Sequence, residues 1–222
     1  MEEKTLFNWQ RKALSESAGR NSYGLFSDPG TGKTYCALRI AQNWTDNALV
    51  VCPLSVKEQW VKEANIVGIP TEVYHYEQLR NKRYFDVIVN KLRGNRTTLI
   101  LDESHRIKSP STATTKAALK IAPLAPARLA LTGTPTANSP ADLYTQLKFL
   151  QPERKLETYR DFQSEYVEEL PASHPLRKKI PGRPFLAMKR KDGSLVTKNI
   201  DQLKKRVLEY GITVKLDEVV EL

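Results

Sequence analysis

Apolar and polar positions alternate along this chain in two rhythms. YGLFS (23–27), ALVVC (48–52), TTLILD (97–102) and ARLALT (127–132) are short, mainly apolar runs, the signature of strands buried on both faces. TEVYHY (71–76) reads as a further strand. Between the runs the apolar spacing becomes helical. Ala37, Ile40, Ala41 and Trp44 fall at i, i+3, i+4 and i+7, and STATTKAALKIA (111–122) is helix-like up to Pro123. SVKE predicts a helix opened by a capping box, Ser55 with Glu58. RYFDVIVNKLRG holds a strand-like VIV, but Phe85, Ile88, Val89 and Leu92 keep helical spacing and Gly94 can end the turn, so a helix is expected. SPADLYTQLKFL (139–150) has a serine cap, a proline at the first helical position and an acid in the first turn.

Strands alternating with helices, with the strands buried on both faces, predict an α/β fold: a mainly parallel sheet flanked by helices. This domain is expected over residues 1–152. Beyond Pro152 the pattern changes, and residues 153–222 are expected as a small basic C-terminal appendage of helices and a hairpin. Tyr159, Phe162 and Tyr166 share one helical stripe. PASHPLRKKIPGRP (171–184) reads as an extended connection containing Pro181, Gly182 and Pro184. Asp192-Gly193 signals a tight hairpin. Ile200, Leu203, Val207 and Tyr210 form a helical face, with Gly211 as its expected cap.

Composition narrows the class. With 40% hydrophobic and 27% charged residues, the chain reads as globular. It lacks a run long enough for a transmembrane helix and a secretory signal core, so an intracellular, membrane-free protein is expected. Cys36 and Cys52 sit in apolar company and are expected as reduced thiols with no disulfide partner. The net charge of +10 suits a polyanionic partner and equally suits plain solubility.

FSDPGTGKTYC (26–36) carries the first chemistry. A strand ends at Ser27, a loop holds Gly30 and Gly32, and a helix begins at Lys33. Glycines let successive N–H groups curl toward phosphate oxygens, and the helix N-terminus adds positive potential. Asp28, Gly30, Thr31, Gly32, Lys33 and Thr34 are the candidate phosphate-binding residues. Lys33 would reach the terminal phosphates and the Thr34 hydroxyl would hold magnesium. Ser27 stands where the full Walker pattern has glycine. LILDESH (99–105) is the second piece: an apolar strand delivers Asp102 and Glu103 at its carboxyl end. Asp102 would hold magnesium through water, and Glu103 would orient and polarise the attacking water. LALTGTP (129–135) is the third, with Thr132, Gly133, Thr134 and Pro135 in a hydroxyl-rich loop.

DPGTGKT, DESH and LTGTP, in that order, resemble the first RecA-like motor domain of superfamily 2 helicases, and among them the Swi/Snf-type DNA translocases of compact bacterial or phage type. LFNWQRKAL resembles the upstream glutamine element, in which Gln10 would read adenine. VVCPLSVKEQWVKE is similar to the next motif, whose Pro53, Leu54, Ser55 and Val56, with Trp60, would shape a DNA contact. YEQL (76–79) resembles the element preceding the acidic box, and TGTPTANSPADLYTQLKFLQP the run beyond the third motif, including Asn138, Leu143 and Phe149. GITVKLDEVVEL is similar to the segment leading into a second motor domain. The family usually has DEMGLGKT in place of DPGTGKT, and alanine in place of Ser104.

The resemblance implies a P-loop domain that uses ATP and Mg2+ and works on DNA, double-stranded by the Swi/Snf likeness. Lys33, Glu103 and His105 would form the catalytic set, with His105 coupling the nucleotide site to Thr132–Pro135; an ordinary satisfied histidine is the other reading. A second RecA-like lobe, in cis or in trans, would supply an arginine finger, so weak hydrolysis is expected without it. Lys57, Arg106 and Lys108 are candidate phosphate contacts or solvated surface, as are RKK (177–179) and KRK (189–191). An RNA helicase lobe and an ATP- and DNA-binding module without efficient hydrolysis remain as alternatives.

Overall fold

The computed structural model describes residues 5–136, 139–175, 187–190 and 192–219. Asn138, Pro181, Gly182, Pro184, the RKK cluster and Lys191, all singled out above, lie outside the described residues. The described residues form one six-stranded sheet, all parallel, in the order β3-β2-β4-β5-β1-β6. Its strands are β1 (Ser22–Ser27), β2 (Asn47–Cys52), β3 (Thr71–His75), β4 (Thr97–Asp102), β5 (Ala127–Leu131) and β6 (Gly211–Val214). Successive side chains divide between the faces, as the two-residue period of a strand requires. Leu99 and Leu101 enter one core and Ile100 the other; Leu49 and Val51 are likewise separated from Val50.

Helices α1 (Asn8–Ser17), α2 (Lys33–Trp44) and α3 (Lys57–Val67) cover one face through Trp9, Ala13, Cys36, Ile40, Trp60 and Ala64. Helices α4 (Lys82–Gly94), α5 (Ala113–Ile121), α6 (Tyr144–Leu150), α7 (Tyr159–Tyr166) and α8 (Ile200–Tyr210) cover the other. The helical reading of residues 82–94 holds: Ile88 and Leu92 are buried, and Asn81 caps the helix by accepting from the Arg83 N–H. The capping box at Ser55 does not form. Leu54–Val56 make a 3-10 turn, α3 starts only at Lys57, and its cap position is Val56, with no side-chain bond. Ser139 does cap as expected, accepting from Ala141 N–H, but it opens a 3-10 turn (Pro140–Leu143) before α6.

The segment expected as an appendage packs into the same body. In α7, Phe162 and Tyr166 are buried and meet edge-on with ring centroids 4.9 Å apart. Arg206 of α8 grips Glu157 through two bonds of 2.6 and 3.0 Å and lies over the Phe162 ring. The Asp192-Gly193 turn forms, closed by Gly193 N–H donating to Arg190 O. Its arms bridge antiparallel to Val167 and Glu169. Strand β6, read in the sequence only as a connecting segment, adds a sixth strand beside β1.

Gly211 is not a left-handed cap. Its φ of 177° is extended, and it opens β6 opposite Gly24. A Cβ added at Gly211 would collide with the Gly24 backbone, so the close approach of two chains explains the glycine. Gly211→Val is expected to lower stability by about 1–3 kcal/mol through this overpacking, read as a fall in the urea midpoint at unchanged slope. An unchanged midpoint would show that β6 does not need that approach.

Candidate active site

The carboxyl ends of β1, β4 and β5 deliver Ser27, Asp102 and Leu131 to one edge of the sheet, where open α/β sheets place ligands. After β1 the chain curls through Gly30 (φ 82°) and Gly32 (φ 85°), both in the left-handed region that favours glycine. A Cβ at Gly32 would lie 2.7 Å from the Gln10 amide nitrogen, so a side chain there would displace the Gln10 amide from its bond to Gly32 O. Thr31 Oγ1 donates to Asp28 O at 2.8 Å and lies 3.1 Å from Ser27 Oγ, so the serine in place of glycine joins the loop's own bonding. Lys33 is 9% exposed and donates to Ser27 O at 2.6 Å and Asp28 O at 2.8 Å. Burial lowers its pKa, while Glu103, Asp102 and Asp28 pull it back up.

Gln10 is tied at both ends of its amide. Its Oε1 accepts from Phe7 N–H at 2.9 Å, and its Nε2 donates to Gly32 O at 3.1 Å. Asp28 braces the loop against the end of the domain: its N–H donates to Val214 O, and its carboxylate accepts from Leu216 N–H at 3.0 Å.

The acidic pair sits on the neighbouring wall. Asp102 is buried at the end of β4. Its Oδ2 accepts from the Trp60 indole N–H at 2.7 Å and its Oδ1 from Glu103 N–H at 2.9 Å. Burial pushes the Asp102 carboxyl above its ordinary value, and the Trp60 bond opposes that. Glu103 adopts φ 50° and ψ 50°, a left-handed conformation that costs a non-glycine residue about 1 kcal/mol or more. That bend breaks the strand and keeps both acids on the cavity. Gly30, Gly32, Lys33, Thr34, Asp102 and Glu103 line this cavity of about 370 Å³. Its donors fit a hard, oxygen-seeking cation beside an anion: a threonine hydroxyl and carboxylates next to a lysine and a glycine-curled loop.

Thr132 is buried just beyond β5 and links the acids to the third motif. His105 Nδ1 lies 3.0 Å from Thr132 Oγ1 and 3.2 Å from Glu103 Oε2. Thr132 Oγ1 also accepts from Thr134 N–H at 3.1 Å. Gly133 packs on the phosphate loop, since a Cβ there would lie 3.0 Å from Pro29. Ser104 donates to Gln146 Oε1 at 2.7 Å, and Gln146 Nε2 donates to Pro135 O at 2.7 Å. This second bridge between box and loop was not foreseen, because Gln146 lies 42 residues from Ser104. Tyr76, of the YEQL element, donates to Asp102 O at 2.7 Å; the sequence singled out that element without assigning it this contact.

The candidate DNA contacts divide. Pro53, Leu54, Ser55 and Lys57 follow β2, and Lys108 follows β4, so they emerge from adjacent strands at the cavity's edge of the sheet. Leu54 is 65% exposed and Ser55 is exposed; Lys57 and Lys108 are half-buried. Trp60 is corrected: it is fully buried on the sheet-facing side of α3, its polar atom is spent on Asp102, and no face of it is open to DNA. Arg106 stacks over Tyr76 at 5.7 Å and lies 4.0 Å from Glu77. Cys36 and Cys52 are buried free thiols, each pushed up to about 12 by burial. Among the described residues, no helix is long and apolar enough to cross a membrane.

The chain is 29% identical over 189 residues to the Caenorhabditis elegans SWI/SNF-related matrix-associated actin-dependent regulator of chromatin subfamily A-like protein 1 homolog, covering 73% of this chain and 26% of that protein. It is 32% identical over 165 residues to the Bos taurus SWI/SNF-related matrix-associated actin-dependent regulator of chromatin subfamily A-like protein 1, covering 67% and 18%. It is 28% identical over 176 residues to a probable global transactivator of Orgyia pseudotsugata multicapsid polyhedrosis virus, covering 67% and 34%. The chain therefore spans between about a fifth and a third of the length of these curated relatives. Its fold matches the Sulfolobus solfataricus SWI2/SNF2 ATPase core in complex with dsDNA with a TM-score of 0.66 at 22% identity, covering 96% of this chain and 45% of that one. That likeness is one of fold. The family description SNF2-related domain matches residues 65–208, and the chain belongs to that family.

Proposed function

We propose that this chain is the ATP-binding and hydrolysing lobe of a DNA translocase. The observation that carries this reading is the meeting of the Gly30–Gly32 loop, Lys33 and the Asp102–Glu103 pair on one cavity at the carboxyl edge of the sheet. Phosphoryl transfer is mainly a matter of positioning and charge neutralisation, and this edge collects the groups for both. The loop amides of residues 30–34 and the Lys33 ammonium bind the phosphates. Thr34 and Asp102 hold Mg2+, which when bound neutralises charge on the phosphate oxygens. Glu103 orients the attacking water and takes its proton. His105 and Thr132 hold Glu103 and transmit its position toward Pro135. Gln10, already bonded to Gly32, joins the adenine end to the phosphate loop.

DNA, double-stranded by family likeness, lies over the exposed Leu54–Ser55 turn with Lys57 and Lys108 beside it. A second RecA-like lobe, in cis or in trans, completes the motor by supplying an arginine to the phosphates. The test is Mg·ATP binding and phosphate release by the chain alone, with duplex DNA and with RNA. Binding is expected, with slow turnover raised more by duplex DNA than by RNA. Stimulation by RNA alone would move the reading to an RNA helicase lobe, and no binding at millimolar ATP would overturn it.

A further inference from the structure

We propose that Trp60 is a positioning residue for the metal-binding carboxylate of Asp102, and that its indole N–H sets how tightly this site holds a divalent cation. The inference rests on the nucleotide reading above and adds a residue that the motifs assign to a different task.

The terminal torsion of an aspartate is broad, so an untethered carboxylate turns freely about its last bond. Asp102 is tethered at every oxygen. Trp60 donates to Oδ2 at 2.7 Å, Glu103 N–H donates to Oδ1 at 2.9 Å, and the Tyr76 hydroxyl donates to the backbone carbonyl at 2.7 Å. Glu103 is the next residue in the chain, while Tyr76 lies 26 residues away in the 3-10 turn (Tyr76–Arg80) that follows β3. Trp60 differs from Glu103 in reaching across from α3, 42 residues away, and from Tyr76 in bonding a carboxylate oxygen rather than the backbone, and it is fully buried.

Indole is a donor without a lone pair to offer, so Trp60 cannot itself ligate the cation. It can only aim the group that does. A carboxylate oxygen has room for two partners, so each Asp102 oxygen keeps one direction open after accepting its N–H. With both oxygens half engaged, a bidentate grip on the metal is disfavoured and a contact through metal-bound water is favoured. That suits Mg2+, which gives up its waters reluctantly. Partners of this kind, one step behind the ligand, typically govern metal affinity by a factor of ten or more. The bond also has a mechanical consequence. Trp60 sits one turn into the helix that follows the Leu54–Val56 turn, so its bond couples the carboxylate at the end of β4 to the helix that adjoins the exposed Leu54–Ser55 surface.

Trp60→Phe removes the donor and keeps one aromatic ring at the site, at the cost of some buried volume. The affinity of Mn2+ for the ADP complex, read from the EPR signal of free Mn2+, is expected to fall about tenfold. ADP affinity in EDTA is expected to stay within about twofold, because no metal is involved there. Unchanged Mn2+ affinity with intact ADP binding would overturn the inference. Absence of ADP binding by the unaltered protein would instead overturn the nucleotide reading on which it rests.

A variant that fails to fold leaves a second measurement on the native chain. The protein has three tryptophans, so three indole N–H resonances are expected. Trp44 donates to Ser17 O, and the Trp9 indole N–H has no partner among the described residues, so only the Trp60 resonance should move in Asp102→Asn. That same resonance should shift when Mg2+ is added to the ADP-bound protein. Its failure to respond to Mg2+ would overturn the inference without use of the phenylalanine variant.

Discussion

Glu103→Gln is expected to leave ATP binding in place and to lower turnover by about 10³-fold, within the range a positioned general base contributes. That loss corresponds to about 4 kcal/mol of transition-state stabilisation. The substitution keeps the size of the side chain and an oxygen to face Thr132 and His105, from which Glu103 Oε2 lies 3.5 and 3.2 Å. It removes the negative charge and the basicity that an attacking water needs. The left-handed backbone at Glu103 is unaffected, since both residues carry the same β-carbon geometry. The measurement is single-turnover phosphate release beside equilibrium nucleotide binding. Turnover within tenfold of the native protein would remove Glu103 from the role of base.

Lys33→Ala is expected to weaken ATP binding by about 10²-fold, the scale of one or two charge-assisted bonds. The lysine occupies the loop from within, bonded to the Ser27 and Asp28 carbonyls, and these are the groups it must leave to reach phosphate. Losing it has a structural cost as well. The buried Ser27 carbonyl would lose this partner, at roughly 1–3 kcal/mol if left without another, while Asp28 O keeps the Thr31 hydroxyl. Affinity and melting temperature should therefore be read together. Loss of affinity with the native melting temperature would isolate the phosphate contact. Unchanged affinity would count against the cradle.

Much of this site was legible before any coordinates. The GTGKT run after an apolar strand, and DES after another, lie where parallel strands end, so their meeting at one edge follows from the α/β pattern. The helix over residues 82–94 was legible because the 3.6-residue period of its apolar face outweighs its β-branched centre. Other features had no local signal. Ser55 with Glu58 satisfies the capping pattern, yet the chain leaves β2 through a 3-10 turn and the cap falls one residue later, at Val56. Gly211 after a helical face reads as a cap, because sequence spacing does not report a neighbouring backbone.

By itself the sequence determined the periodicity of each element, the phosphate-loop chemistry and the acids that face it, because these depend on residues within a few positions of one another. The tertiary structure alone decided that β6 closes the sheet beside β1, that Trp60 serves Asp102 and that Gln146 bridges Ser104 to Pro135. The strand pairing and the Trp60–Asp102 and Ser104–Gln146 bonds join segments separated by 42 residues or more, and such contacts arise only when packing brings the segments together.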